Sequence, residues 1–195
     1  MQEEILSQSF PSQNQSFYKV AYTLKLEAKT RLAAKITRPL TRESSGTYVC
    51  VLPDEESTAT LLRIGDYLGV KVDSSELHCT LSYAKGCFPR QAKTSKARRF
   101  TARIAGLQFW DGHDNDGYLV VLLDSPSLTE RNQYWAEHGL KHSFDDYSPH
   151  VTLVSKLDKT PELITAIDKT SRVFINRILG FNNETIEGLK AKAKE

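Results

Sequence analysis

Two short segments of the chain hold the residues best suited to proton transfer, Leu77-His78-Cys79-Thr80-Leu81-Ser82-Tyr83 and Pro149-His150-Val151-Thr152-Leu153-Val154-Ser155. Each is a histidine, one intervening residue, a threonine and a leucine inside a run of strand-forming residues. Successive side chains on a strand point to opposite faces. His78, Thr80 and Ser82 are therefore expected on one face, with Cys79, Leu81 and Tyr83 on the other. In the second copy His150 and Thr152 point one way, and Val151 and Leu153 point the other way into a core. Histidine has an unperturbed pKa of about 6.5, so it can both take and give a proton near neutrality. Two such strands side by side would set two imidazoles and two hydroxyl donors around one small anion, an arrangement suited to cleaving a phosphate ester. Read alone, either histidine is an ordinary strand residue; the matched pair argues for chemistry.

The rest of the chain must hold these strands in place. Its 195 residues, 39% of them apolar, suit one domain with a real core. Lys and Arg number 26 against 24 Asp and Glu, a net charge of +2. So small an excess gives no surface-wide field for duplex nucleic acid, and an anionic partner must be recognised locally. Cys50, Cys79 and Cys87 are odd in number and lack paired spacing, which predicts reduced thiols in a cytoplasmic setting. The acidic start Met1-Gln2-Glu3-Glu4 has no apolar core of a signal peptide, and no apolar run approaches the roughly 20 residues that cross a bilayer. No membrane partner is expected.

Residues 1–45 read as an extension: a Ser- and Gln-rich leader, then a helix over Phe17 to Ile36 with Val20, Leu24, Ala28, Leu32 and Ile36 along one stripe. That helix would cover the domain edge or dock the protein into a larger assembly. The main domain is expected over residues 46–190, with a charged tail at 191–195. Thr47 to Leu52 predicts a strand. A helix opens at Pro53-Asp54-Glu55-Glu56, buries Leu61, Leu62, Ile64 and Leu68, and closes at Gly69. After the first histidine strand, Lys85 to Arg99 forms a basic loop that could draw an anionic substrate to the site. Phe100 to Trp110 and Tyr118 to Leu123 predict a hairpin about residues 111–117. His113 and Asp116 break the register of a calcium-binding loop, so this segment reads as a turn. Ser127-Leu128-Thr129-Glu130 predicts a capped helix to about His138, with Gly139 as its stop. After the second histidine strand come a helix from Thr160-Pro161-Glu162 to about Lys169 and a pair of strands, Val173 to Phe181 and Glu184 to Leu189, joined at Asn182-Asn183. His138 and His142 have a zinc-like spacing, but Gly139 interrupts the helix between them and no third ligand stands nearby. No metal and no cofactor are expected.

His78-Cys79-Thr80-Leu81 and His150-Val151-Thr152-Leu153 resemble the paired His-x-Thr motifs of the two-histidine (2H) phosphoesterase superfamily. Within it, Gly46-Thr47-Tyr48-Val49-Cys50-Val51-Leu52-Pro53-Asp54-Glu55 together with the first motif most resembles the phage anti-CBASS nucleases, which destroy cyclic nucleotide messengers. The resemblance covers roughly residues 46 to 189. It implies an α+β, two-lobed pseudo-symmetric 2H phosphoesterase fold, with the two His-x-Thr strands facing a central cleft. It also implies catalysis by His78 and His150, with Thr80 and Thr152 donating to the phosphate oxygens, in the host cytoplasm if the gene is a phage's. One histidine would act as base and the other as acid; the sequence does not say which.

The resemblance further implies aromatic residues that sandwich nucleobases, at positions matching Tyr48 and Trp110, and a glutamate against a base edge, matching Glu184 or Glu187. These two glutamates are three apart, so a regular strand would not turn both to the site. The expected activity is metal-independent hydrolysis of a small cyclic di- or trinucleotide in evasion of CBASS immunity. Two other readings are a 2′,3′-cyclic phosphodiesterase or RNA end-processing enzyme, and a non-catalytic sponge that holds cyclic nucleotide intact.

Overall fold

The computed structural model of the chain describes residues 45–89, 94, 98–112, 116–144 and 146–189. The leader and helix expected before Gly46, much of the basic loop, the middle of the 111–117 turn and the charged tail lie outside the described residues. Within them the order is β1 (Gly46–Pro53), α1 (Glu55–Leu68), β2 (Cys79–Lys85), β3 (Phe100–Asp111), β4 (Asp116–Asp124), α2 (Pro126–Glu137), β5 (His150–Asp158), α3 (Pro161–Phe174) and β6 (Ile178–Gly188).

All neighbouring strands are antiparallel and close into a barrel in the order β1-β2-β5-β4-β3-β6. The ring is unevenly stitched. Long ladders join β6-β1-β2 and β5-β4-β3, β3 meets β6 over the stretch Phe100 to Arg103, and β2 meets β5 at the single pair Cys79 and Val151. One narrow seam thus joins the two histidine strands.

Apolar periodicity explains the layers. In β3 Phe100, Ala102 and Ile104 are buried while Thr101, Arg103 and Ala105 face water. Val49, Val51, Leu81, Val151 and Leu153 from the strands join Leu61, Ile64, Leu128, Trp135, Ile167 and Phe174 from the helices in one core. Each large side chain buried there contributes about 1.5–3 kcal/mol.

Helix starts follow local chemistry. Asp54 accepts from the Ser57 amide at 2.9 Å and opens α1, and Gly69, at φ 66°, closes it in the left-handed region open to glycine. Helix α2 starts earlier than the Ser127–Glu130 motif suggests. Ser125 accepts from the Leu128 amide at 3.2 Å, and Pro126 fills the first turn, where its missing N–H costs nothing. Helix α3 starts at Thr160 as expected but continues to Phe174, because Ile167, Thr170 and Phe174 prolong its buried stripe. The closing pair of strands is in fact one strand, β6. Leu52 pairs with Asn182 and Cys50 with Thr185, so the strand runs through Asn182 and bulges at Asn183-Glu184 opposite Val51 instead of turning, with Asn183 at φ 50°.

Candidate active site

Both His-x-Thr-Leu motifs carry the same irregularity. Along β2, Val49 pairs with Ser82 and Cys50 with Thr80, leaving Leu81 as an extra residue. Along β5, Val120 pairs with Thr152 and Leu119 with Val154, leaving Leu153 extra. A bulge turns the residues beyond it to the other face. Ser82 therefore does not share a face with Thr80: it is fully buried and donates to the Leu140 carbonyl at 3.2 Å. Tyr83, paired with Tyr48, takes that face instead.

The antiparallel pair Cys79 and Val151 fixes the relation between the motifs. The paired residue lies between the histidine and the threonine of each motif, so the pairing brings the two His-x-Thr motifs together in opposite directions.

Each ring is held alike. His78 Nδ1 lies 2.6 Å from the Glu76 carbonyl, and His150 Nδ1 lies 2.8 Å from the Ser148 carbonyl, two residues upstream in both cases. A carbonyl can only accept, so Nδ1 carries the proton and Nε2 is the nitrogen that titrates. The same bond survives whether the ring is neutral or cationic. Either histidine can thus act as base or acid without turning.

Aromatic neighbours flank both rings. Tyr48 meets His78 edge-on, with ring centroids 5.8 Å apart, and its hydroxyl shares a hydrogen bond of 3.0 Å with Thr80 Oγ1. Trp110 lies 4.5 Å from His150. Burial lowers the His150 pKa against the opposing pull of the Ser148 carbonyl, and burial raises that of Tyr48 so that its phenol stays neutral. Glu187 sits opposite Tyr48 in the β1–β6 register.

Glu184 does not face this site. Its side chain is fully buried, taking Arg131 Nε at 2.7 Å, Arg131 Nη2 at 2.8 Å and Trp135 Nε1 at 2.7 Å. A strand alternates its faces, and β6 turns Glu184 toward α2, where a bidentate guanidinium is the partner a buried carboxylate needs. The substrate role expected for Glu184 is replaced by a structural one, and Glu187 is the glutamate beside Tyr48.

Sequence reasoning missed His142 and Tyr147. His142 Nδ1 accepts the Tyr83 amide at 3.0 Å, and the Tyr147 hydroxyl donates to the Thr80 carbonyl at 3.0 Å. His138 is engaged elsewhere, with Nδ1 2.8 Å from the Tyr134 carbonyl. Beyond the bulge, Phe144 stacks on Tyr83 with centroids 6.1 Å apart and keeps 63% of its surface exposed. The one available signal was a crowd of His, Phe and Tyr just upstream of the second motif. Among the described residues no three His, Cys, Asp or Glu side chains are grouped to hold a metal ion, and no helix is long and apolar enough to cross a membrane.

The sequence model of one protein family, described as anti-CBASS protein Acb1, matches residues 45–195. Phage proteins of that name are similar to over half of the chain. That of Vibrio phage KVP40 is 31% identical over 113 residues, 57% of this chain and 73% of the relative. That of Salmonella phage S16 is 34% identical over 112 residues, 56% of this chain and 72% of the relative. The Enterobacteria phage T4 protein is 31% identical over 112 residues, 56% and 72% of the two chains.

Proposed function

The chain belongs to the anti-CBASS protein Acb1 family, and from that premise we propose that it counteracts CBASS immunity in the host cell as a phosphodiesterase. It hydrolyses a cyclic di- or trinucleotide signal by a two-histidine, metal-independent route. The observation that carries this reading is the matched pair of imidazoles. Both rings are anchored at Nδ1 by a carbonyl two residues upstream, on strands cross-paired at Cys79 and Val151. The shared bulge after each threonine supports a pseudo-symmetric 2H fold, with β6-β1-β2 and β5-β4-β3 as its lobes.

In this mechanism His150 is the base, because burial favours its neutral form. Its Nε2 takes the proton of a ribose 2′-hydroxyl as that oxygen attacks the adjacent phosphorus. The bond from phosphorus to the 5′-oxygen breaks, and His78, as imidazolium, protonates the leaving oxygen through Nε2. The ring is opened to a 2′,3′-cyclic phosphate at one end and a 5′-hydroxyl at the other. Water can then open the cyclic phosphate with the two histidines in exchanged roles, returning each to its starting state.

Thr80 and Thr152 donate to the non-bridging oxygens, where charge accumulates. A neutral Tyr48 can donate to Thr80 and leave the threonine hydrogen for the phosphate. Tyr48 and Trp110 offer ring faces to the bases, worth about 1–3 kcal/mol per stacked base. The register of Glu187 opposite Tyr48 supports a role for its carboxylate as acceptor of a base edge.

The test is chromatography of a cyclic dinucleotide and a cyclic trinucleotide incubated with the protein in EDTA, beside His78→Ala and His150→Ala. Cleavage that both variants lose is expected. Ligand retained intact would make the protein a sponge, and neither turnover nor binding would redirect the search to RNA ends bearing 2′,3′-cyclic phosphate.

A further inference from the structure

The seam between the histidine strands is held by one ladder pair, yet the β2 edge is closed far beyond it. Between α2 and β5, residues 138–144 and 146–149 run along that edge. Tyr147 donates to the Thr80 carbonyl at 3.0 Å, the Tyr83 amide donates to His142 Nδ1 at 3.0 Å, the Ser143 amide donates to the Tyr83 carbonyl at 2.9 Å, and the Lys85 amide donates to Ser143 Oγ at 3.0 Å. Ser82 Oγ reaches the Leu140 carbonyl at 3.2 Å, and Asn132 of α2 reaches the Leu81 carbonyl at 2.6 Å. This segment replaces the strand partner that β5 ceases to supply after Cys79.

One link in that row tolerates a single protonation state. An N–H donor faces His142 Nδ1, so the ring must keep its lone pair there; an imidazolium would oppose the Tyr83 amide with a second donor. The catalytic rings differ, since their Nδ1–H bonds to carbonyls persist in both states. The titratable groups facing His142 are His150 from β5 and Tyr147 from its own segment, while β2 presents the Tyr83 backbone amide. Burial first, then His150, holds the His142 pKa below its usual value.

We propose that His142 is a positioning residue: as the neutral acceptor of the Tyr83 amide, it clips residues 138–149 to β2 and so sets the spacing of the two His-x-Thr motifs. This rests on the hydrolytic reading above. A proton on His142 breaks the clip and adds a second ionisation to the acid limb that His150 already produces.

The test compares His142→Ala with His142→Asn in the full chain, since the Asn Oδ1 can accept near the Nδ1 position and does not titrate. Cyclic dinucleotide cleavage is followed against pH, and hydrogen exchange at the Tyr83 amide is followed in parallel. His142→Ala should lower kcat about tenfold, the weight of one hydrogen bond, with KM little changed and the Tyr83 amide exposed to exchange. His142→Asn should restore both, and its acid limb should fall with one proton instead of two. Equal loss in both variants, or Tyr83 protection unchanged in His142→Ala, overturns the proposal. If His142→Ala does not fold, the protection factor of the Tyr83 amide, taken against the intrinsic exchange rate at each pH, must fall with acid in the native chain while that of His142→Asn does not; parallel behaviour overturns it equally. If no native cleavage occurs the hydrolytic reading fails, and Tyr83 exchange still decides whether the clip exists.

Discussion

The two His-x-Thr motifs share a local design and differ in their surroundings. Each has a histidine anchored by a carbonyl two residues back, a buried leucine bulge after the threonine, and one aromatic ring beside the imidazole. Around the first motif, however, Thr80 is bound twice, through its hydroxyl to Tyr48 and through its carbonyl to Tyr147. Around the second, His150 is packed against Trp110 at 4.5 Å, and burial lowers its pKa. The common part supplies a ring that can work in either direction. The differing part fixes a hydroxyl on one side and favours a neutral imidazole on the other.

The largest expected effect tests what the motifs share. His78→Ala and His150→Ala should each cost at least a hundredfold in cleavage rate, within the range of about 10²–10⁴ for general acid–base catalysis; product chromatography reads both, and a large inequality would break the symmetry. Thr80→Val and Thr152→Val should each cost on the order of 100-fold in kcat, measured as initial rates. Trp110→Ala removes a stacking face of about 1–3 kcal/mol and should raise KM by roughly tenfold or more. Tyr48→Phe keeps the ring but frees Thr80, so it should lower kcat about tenfold and leave KM near the native value, a split that separates stacking from positioning.

The smallest effect is on stability. His150 and His142 both have folded pKa values below the unfolded value of about 6.5, so the unfolded chain binds more protons as the pH falls. Stability is complete above that pH, declines below it, and levels off once the pH passes the folded values. Urea unfolding at pH 7.5 and 5.5 should show the decline, and His142→Asn should reduce it.

Much of this was legible in the chain because its signals are local. Period-two alternation marked both histidine strands, and Asp54, Gly69 and Thr160 marked helix ends that the structure retains. Signals that depend on a partner strand misled. Nothing in Thr80-Leu81-Ser82 announces a bulge, because the extra residue is defined against β1. Asn182-Asn183 reads as a turn until β1 is there to pair on both sides of it. Glu184 was chosen from a resemblance, and only the approach of Arg131 and Trp135 from α2 shows which face it takes. In the sequence His142 reads only as a metal ligand beside His138, because a ring that accepts one backbone amide leaves no periodic trace.

The seam between the motifs has one more property. Cys79 stands at its single ladder pair, wholly buried, and burial pushes its thiol up to about 12. At neutral pH almost none of it is thiolate, so an alkylating reagent meets a reactive sulfur only after the two strands have parted. The protein therefore carries its own gauge of breathing at the seam between the two motifs. Labelling of Cys79 as slow as global unfolding would mean that the halves separate only when the whole fold is lost, whereas faster labelling would measure a local opening in which the two histidine strands part.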